Sequence, residues 1–129
     1  MTEPVWIDER DAVTLHDRLL ATHGGASGVR DENLLKSALA RPRQHFAYAE
    51  APGIMGLAAA CTTGIVRNHP FVDGNKRTGF VVGILLLELN GCRFIASEEA
   101  AAQAVLSLAA GTLDEGEYAA FLRANATSE

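Results

Sequence analysis

Apolar residues recur along most of the chain at spacings of three and four, which is the repeat of an amphipathic α-helix. Residues that favour helix starts and helix ends punctuate this repeat. Together they predict six helices: about residues 8–22, from 31 to before Pro42, 54–66, 75–90, from 97 onwards, and from a capping box at 112–115 to about 125. The predicted fold class is all-α, a bundle of about six helices.

The fourth predicted helix has a middle, residues 79–87, that is apolar on every side. A helix of this kind is buried all round, so we predict that it forms the buried centre of the bundle. The third helix is rich in Ala and Gly, which allows a neighbour to pack close to it. Residues 45–48 and 93–96 are expected to be short extended pieces, and Pro52-Gly53 a turn.

Composition fits one globular domain over residues 1–129, with 48 % hydrophobic and 21 % charged residues. The formal net charge of −5 argues against nucleic acid as the main partner, so no direct DNA binding is expected. Cys61 and Cys92 form no Cys-x-x-Cys pair and are expected to be reduced, buried thiols. No apolar run approaches the ~20 residues of a membrane span, and the start is not a signal peptide, so we expect a cytoplasmic protein.

The stretch RNHPFVDGNKRT, residues 67–78, carries most of the candidate chemistry. Pro70 and the turn pair Asp73-Gly74 exclude regular helix before Asn75. The free N–H groups and the dipole at a helix start attract anions. Side-chain donors stand at the same place: Arg67, Asn75, Lys76 and Arg77. The pattern therefore predicts a phosphate site in an acidic protein.

Two further residues of this stretch suit phosphate chemistry. His69 can take the proton of an attacking hydroxyl near neutral pH. Asp73 can hold Mg²⁺ beside bound phosphates, because this ion prefers oxygen ligands. Taken singly, the histidine would be structural, the Asp-Gly pair a turn and the basic pair a solvated face, which leaves a non-catalytic binding module as an alternative.

The stretch resembles the Fic-domain motif: His-Pro-Phe, an acidic residue, Gly, Asn and Arg. Lys76, between the Asn and the Arg, resembles the death-on-curing (Doc) branch, and similar residues extend the likeness over about residues 6–124. The resemblance implies a single Fic/Doc domain, with a short extended flap over about residues 46–53. In that family the flap holds the backbone of the target protein beside the site.

The resemblance also implies residue roles, with ATP and Mg²⁺ as cofactors. His69 would be the general base, Asp73 the magnesium ligand and Phe71 an anchor of the loop. The remaining residues would bind the nucleotide: Gly74 and Asn75 in an anion hole, Lys76 and Arg77 on the phosphates, and Arg67 as a further phosphate contact. The catalytic set is therefore His69, Asp73, Asn75 and Arg77.

The implied function is that of a toxin in a toxin–antitoxin pair, which moves the γ-phosphate of ATP to a Ser or Thr hydroxyl of a translation factor such as elongation factor Tu. Most Fic enzymes have Gly where this chain has Lys76, and transfer AMP, so an AMP transferase is the alternative. Gly74 is the general Fic choice, whereas the Doc type often has Ala. No Ser/Thr-x-x-x-Glu-Gly/Asn inhibitory segment is found, so an antitoxin protein is expected in trans.

Overall fold

A computed structural model describes residues 3–48 and 53–128. Within them the elements are α1 (Glu9–His23), α2 (Glu32–Tyr48), α3 (Ile54–Asn68), α4 (Asn75–Leu89), β1 (Cys92–Phe94), α5 (Glu98–Ala110), α6 (Glu115–Ala124) and β2 (Ala126–Ser128). The predicted all-α class is confirmed. In the part of the chain that the structure covers, none of the helices has the length and apolar character needed to cross a membrane.

Helix α3, rather than α4, is the buried centre of the bundle. Every residue from 57 to 66 is buried, and α3 contacts α2, α4, α5 and α6. In α4, by contrast, Phe80, Val81 and Ile84 remain partly exposed. The prediction that α4 is buried all round was therefore wrong. An apolar helix can also line an open cleft, and composition alone does not separate the two environments.

Small residues let α3 approach both of its main neighbours. A Cβ placed on Gly64 would lie 3.0 Å from the Cα of Ala38 in α2, closer than ordinary packing allows. On α4, a Cβ on Gly79 would lie 3.0 Å from Val66, and one on Gly83 would collide with the hydroxyl of Thr62. The predicted close packing around the third helix is thus confirmed.

Helix α2 is longer than predicted. It continues through Pro42 to Tyr48, so the prediction that Pro42 lies beyond the helix and that residues 45–48 are extended was wrong. Proline costs the helix one backbone hydrogen bond. Burial of Pro42, and the packing of Ala38 against Gly64, favour continued helix at this point. Of the expected flap, residues 46–48 are helical and residues 49–52 lie outside the described residues, so that only Gly53 of the predicted turn at 52–53 is described.

The ends of the other helices follow local capping chemistry. Asp8, Asp31 and Ser97 accept backbone N–H groups at the starts of α1, α2 and α5, as predicted. Helix α6 starts later than expected: its capping box joins Asp114 to Glu117, not residue 112 to residue 115. Aspartate and threonine both favour the cap position, and the sequence around 112–117 offers two frames for the same box.

The expected extended link after α4 is the strand β1, which pairs antiparallel with β2 near the end of α6. The pairing partner was not predicted, since three polar or small residues carry little strand signal. Both cysteines are free and buried, as expected. Burial raises the pKa of the Cys61 thiol to about 12, so this thiol stays protonated and unreactive near neutral pH.

Candidate active site

The start of α4 presents free backbone donors. Gly74 caps the helix with a left-handed backbone, at φ 75°, and supplies no capping side chain. Within the described residues, no acceptor takes the backbone N–H groups of Asn75, Lys76 and Arg77, whereas the next N–H, of Thr78, returns to the carbonyl of Gly74. This helix start can therefore bind an anion through its backbone.

His69 occupies an unusual backbone position. It caps the end of α3 with φ 51° and ψ 54°, and is the only described residue other than glycine with a positive φ. Its side chain is exposed, and no hydrogen-bond partner of the imidazole is found in the described parts of the chain. The ring is thus open toward the space in front of α4 and free to accept a proton.

The carboxylate of Asp73 is held by two backbone donors. Its Oδ1 accepts the N–H of Gly74 at 2.8 Å, and its Oδ2 accepts the N–H of Ala26 at 3.3 Å. A Cβ on Gly25 would lie 2.8 Å from the same Oδ2. The glycine loop after α1, predicted only as a helix stop, therefore also positions Asp73. This contact could not be predicted from the sequence, because a glycine required for lack of space has the same appearance there as a glycine required for a turn.

Buried groups fix the loop between α3 and α4. Phe71 is 1 % exposed, which confirms it as an anchor. The side-chain amide of Asn75 binds both backbone groups of Phe71. Its oxygen accepts the Phe71 N–H at 2.9 Å, and its nitrogen donates to the Phe71 carbonyl at 3.0 Å. Asn75 thus uses its side-chain amide to hold the loop, and its backbone N–H is the group left free to bind an anion.

The segment from Gly28 to Asp31 straps the same loop from outside. The N–H groups of Arg30 and Asp31 both donate to the carbonyl of Pro70, and the N–H of Val72 donates to the carbonyl of Gly28. A single β-bridge joins Val29 to Phe71. This strap, residues 28–31, was not identified from the sequence, since the three hydrogen bonds between its backbone and the loop leave no pattern of side chains.

The motif opens onto a cleft of about 930 Å³. The motif residues that line it are His69, Asp73, Gly74, Asn75, Lys76 and Arg77. Much of the remaining lining is apolar and includes Phe80, Val81, Ile84, Phe94, Ala101 and Val105. A cleft of this size, with a few convergent polar groups and apolar walls, suits a small-molecule ligand. Arg67 is exposed on the last turn of α3 and is not among the residues that line the cleft, so the structure does not bring it to the other six.

The side chains that could coordinate a metal ion determine whether Mg²⁺ fits this site. In the described residues there is no group of three or more His, Cys, Asp or Glu side chains placed to hold a metal ion. The cleft contributes the carboxylate of Asp73 beside a helix start that attracts phosphate. Mg²⁺ is commonly held by one or two carboxylates together with substrate phosphates and waters. The residues present therefore fit a magnesium ion that arrives with a nucleotide, and not one held by protein alone.

Comparison with known proteins identifies the class to which this fold and site belong. The sequence profile of the Fic/DOC family matches residues 6–87. The chain is 37 % identical over 97 residues to Toxin Doc of Mycolicibacterium smegmatis. The aligned region covers 74 % of this chain and 71 % of that protein. It is 30 % identical over 95 residues to Protein kinase doc of Escherichia phage P1, covering 74 % and 75 %. The chain therefore belongs to the Fic/DOC family, and these relatives lie on its Doc branch.

Proposed function

We propose that this protein is the toxin of a toxin–antitoxin pair and that it transfers the γ-phosphate of ATP to a Ser or Thr hydroxyl of a cytoplasmic protein. The observation that carries the proposal is the set of motif residues that line the cleft. There a free histidine, a held carboxylate and a basic helix start line one space. The names of the two relatives, a toxin and a protein kinase, support the same reading.

The start of α4 would bind the phosphates. Backbone N–H groups recognise phosphate oxygens by hydrogen bonds, and the side chains of Lys76 and Arg77 add two positive charges at the same place. Both side chains are exposed, so neither has to be freed from a buried ion pair before it binds. Catalysis of phosphoryl transfer rests mainly on such positioning and charge stabilisation.

His69 would act as the general base. The target hydroxyl gives its proton to the imidazole while its oxygen forms a bond to the γ-phosphorus. The bond from that phosphorus to the bridging oxygen breaks, and ADP leaves with the electron pair. The imidazole can take this proton because its nitrogens are not engaged elsewhere among the described residues.

Asp73 would hold the magnesium ion. Each of its oxygens accepts one backbone N–H and retains a lone pair for a metal. Bound there, Mg²⁺ would supply positive charge that offsets the charge developing on the phosphate oxygens. The hydrogen bonds from Gly74 and Ala26 hold the carboxylate in place before a metal ion binds.

AMP transfer is the second candidate. Gly74, which starts α4 with a left-handed backbone, matches the general Fic pattern. The difference lies at Lys76, where a bulky cation occupies the position that is Gly in most Fic enzymes. We favour γ-phosphate transfer because Lys76 adds charge to the phosphate site and reduces the space beside it. A purely binding role would leave the free N–H groups of α4 and the imidazole of His69 without a use.

The partners proposed are a protein substrate and an antitoxin. A translation factor such as elongation factor Tu is the proposed substrate, from the family resemblance. The antitoxin would act in trans, since the chain has no inhibitory Ser/Thr-x-x-x-Glu segment. Helix α2 ends at Tyr48, which is 89 % exposed and lies within the segment, about residues 46–53, that is expected to contact the target.

Two labelled nucleotides test the proposal. The purified protein is incubated with bacterial lysate and Mg²⁺, once with ATP labelled at the γ-phosphate and once with ATP labelled at the α-phosphate. We expect one protein band that carries the γ label only, and its identity gives the target. A band with the α label would establish AMP transfer instead, and no label from either nucleotide would favour a binding module.

A further inference from the structure

The guanidinium of Arg30 binds two consecutive carbonyl groups at the end of α3. Its Nε donates to the carbonyl of His69 at 2.7 Å, and its Nη2 donates to the carbonyl of Asn68 at 2.9 Å. These carbonyls lie at the negative end of the helix dipole, where a cation is stabilised. Arg30 therefore forms a two-point contact with the backbone of the proposed general base and of the residue before it.

His69 depends on backbone contacts for its orientation. Its imidazole has no hydrogen bond among the described residues, and the direction in which the side chain leaves the backbone follows from the φ and ψ of His69. Those angles, 51° and 54°, lie in the left-handed region, which residues other than glycine seldom adopt unless neighbouring contacts stabilise it. Arg30 is the side chain that binds the His69 carbonyl, and Pro70, the next residue, is buried.

We propose that Arg30 is a positioning residue for His69, which keeps the imidazole aimed into the cleft through the backbone of residues 68 and 69. The proposal rests on the proposed function insofar as His69 is the base. Arg30 lies outside the residues that line the cleft, so it is not placed to contact a nucleotide bound there. Its effect passes from the guanidinium to two carbonyls, and from them to the left-handed turn that carries the ring.

The chemistry of this contact favours arginine over lysine. A guanidinium presents several N–H donors in a fixed plane and reaches two carbonyls at once, whereas an ammonium is a single flexible point charge. The backbone N–H of Arg30 separately donates to the carbonyl of Pro70, so a change of side chain leaves the strap's backbone contacts available. The side-chain contact can therefore be tested without removing the strap.

The test compares Arg30→Ala and Arg30→Lys with wild type and with Arg123→Ala, a matched control at an exposed arginine of α6. Transfer of γ label to the identified target is measured at varied ATP. We expect kcat to fall about 10–100-fold in Arg30→Ala, since small misplacements of a catalytic group cost about this much. KM for ATP should change by less than about threefold, because the phosphate-binding donors are untouched. Arg30→Lys should lie between, and Arg123→Ala should match wild type.

A second measurement does not depend on activity. Amide hydrogen exchange follows the N–H of His69, which donates to the carbonyl of Ile65. In Arg30→Ala we expect this amide to exchange at least about tenfold faster, with the amides of residues 57–66 unchanged, because only the helix end loses its support. Unchanged exchange at His69, or a rise in KM with unchanged kcat, would overturn the proposal.

The two proposals fail separately. If wild type transfers no label, the proposed function fails, and the exchange experiment still decides whether Arg30 supports the His69 turn. If wild type transfers label and Arg30→Ala retains wild-type kcat, the proposed function stands and the role of Arg30 is refuted. Should Arg30→Ala fail to fold, Arg30→Lys and Arg30→Gln keep most of the side chain's bulk and carry the same measurements.

Discussion

The imidazole of His16 lies flat against the ring of Phe71, with ring centroids 4.0 Å apart and planes 10° from parallel. The Nε2–H of the same imidazole donates a hydrogen bond to the carbonyl oxygen of Asp73 at 2.7 Å. His16 is 1 % exposed. One buried residue of α1 therefore holds both the anchor of the motif loop and the backbone of the proposed magnesium ligand.

Replacing His16 should destabilise the protein and disturb the site. His16→Ala removes the ring contact with Phe71 and leaves the Asp73 carbonyl without this donor, so we expect a loss of about 2–4 kcal/mol in the free energy of unfolding. Urea denaturation measures it. His23→Ala, at the exposed end of α1, is the control and should change stability by less than about 0.5 kcal/mol. If the two changes lowered the free energy of unfolding equally, His16 would not have the proposed role of holding the motif loop.

His69→Ala should abolish transfer without unfolding the protein. The side chain is exposed, so little packing is lost, while loss of a general base lowers the rate by about 10²–10⁴-fold. Label transfer and growth arrest at equal expression are the measurements. His69→Asn is a useful companion, since asparagine tolerates a positive φ but cannot serve as the base. Growth arrest by either variant at the wild-type level would exclude His69 from this role.

Lys76 should determine which phosphate is transferred. Lys76→Gly removes a charge from the phosphate site and opens the space that the general Fic pattern keeps free, so we expect weaker γ transfer and the appearance of some AMP transfer. Lys76→Ala removes the same charge with less gain of space and separates the two effects. The measurement uses α-labelled and γ-labelled ATP with the same target. If wild type passes on the α label, this interpretation of Lys76 is wrong.

Gly25→Ala should impair the use of magnesium. The added Cβ would lie 2.8 Å from the Oδ2 of Asp73 and displace the carboxylate. Gly24→Ala is the matched control, because it also places alanine at a positive φ, of 79°, but with no described atom within 4 Å of the new Cβ. Both variants should lose stability through backbone strain. Only Gly25→Ala should require more Mg²⁺ for half-maximal transfer. If both variants required the same Mg²⁺ concentration, the glycine loop would have no role in positioning the metal ligand.

Alkaline pH should weaken the fold through buried groups. Burial raises the pKa of Cys61 from 9.0 to about 12, and that of Tyr118 from 10.0 to about 12. The unfolded chain ionises first as pH rises above about 9, so the stability present below that pH is progressively lost toward pH 12. From Cys61 we expect a loss of about 2 kcal/mol by pH 10.5. Urea midpoints at several pH values measure the loss, and a slope unchanged in Cys61→Ala would rule out this thiol.

The sequence predicted the elements whose signals are local. Capping residues such as Asp8 and Ser97 act within one helical turn, so the helix starts follow from neighbours in the chain. The motif of residues 69–77 is likewise contiguous, and the structure places its predicted site residues in the lining of one cleft. Contiguous chemistry of this kind needs no knowledge of tertiary contacts.

What the sequence did not predict depends on distant contacts. The roles of His16, Gly25 and Arg30 arise only when α1 and residues 28–31 fold against the motif loop. The continuation of α2 through Pro42 reflects packing on α3, which overrides the residue's own preference. The apolar wall of the cleft was taken for core, because Phe80 and Ile84 have the same pattern in either place.

The glycines at positions 79 and 83 face α3, on the buried side of the helix whose start carries Lys76 and Arg77. A Cβ on Gly83 would lie 2.1 Å from the hydroxyl oxygen of Thr62 and 3.3 Å from the carbonyl oxygen of Ala58, so a side chain there requires Thr62 or α4 to move, and a movement of α4 would shift the phosphate donors. Heritable variation in the interior can thus inactivate the protein without altering any residue of the site. If cells that express this chain are selected for growth, inactivating mutations should fall at the contact between α3 and α4 as well as in the cleft. Substitutions at positions 79 and 83 would then be limited by the need for catalysis and not only by the need to fold.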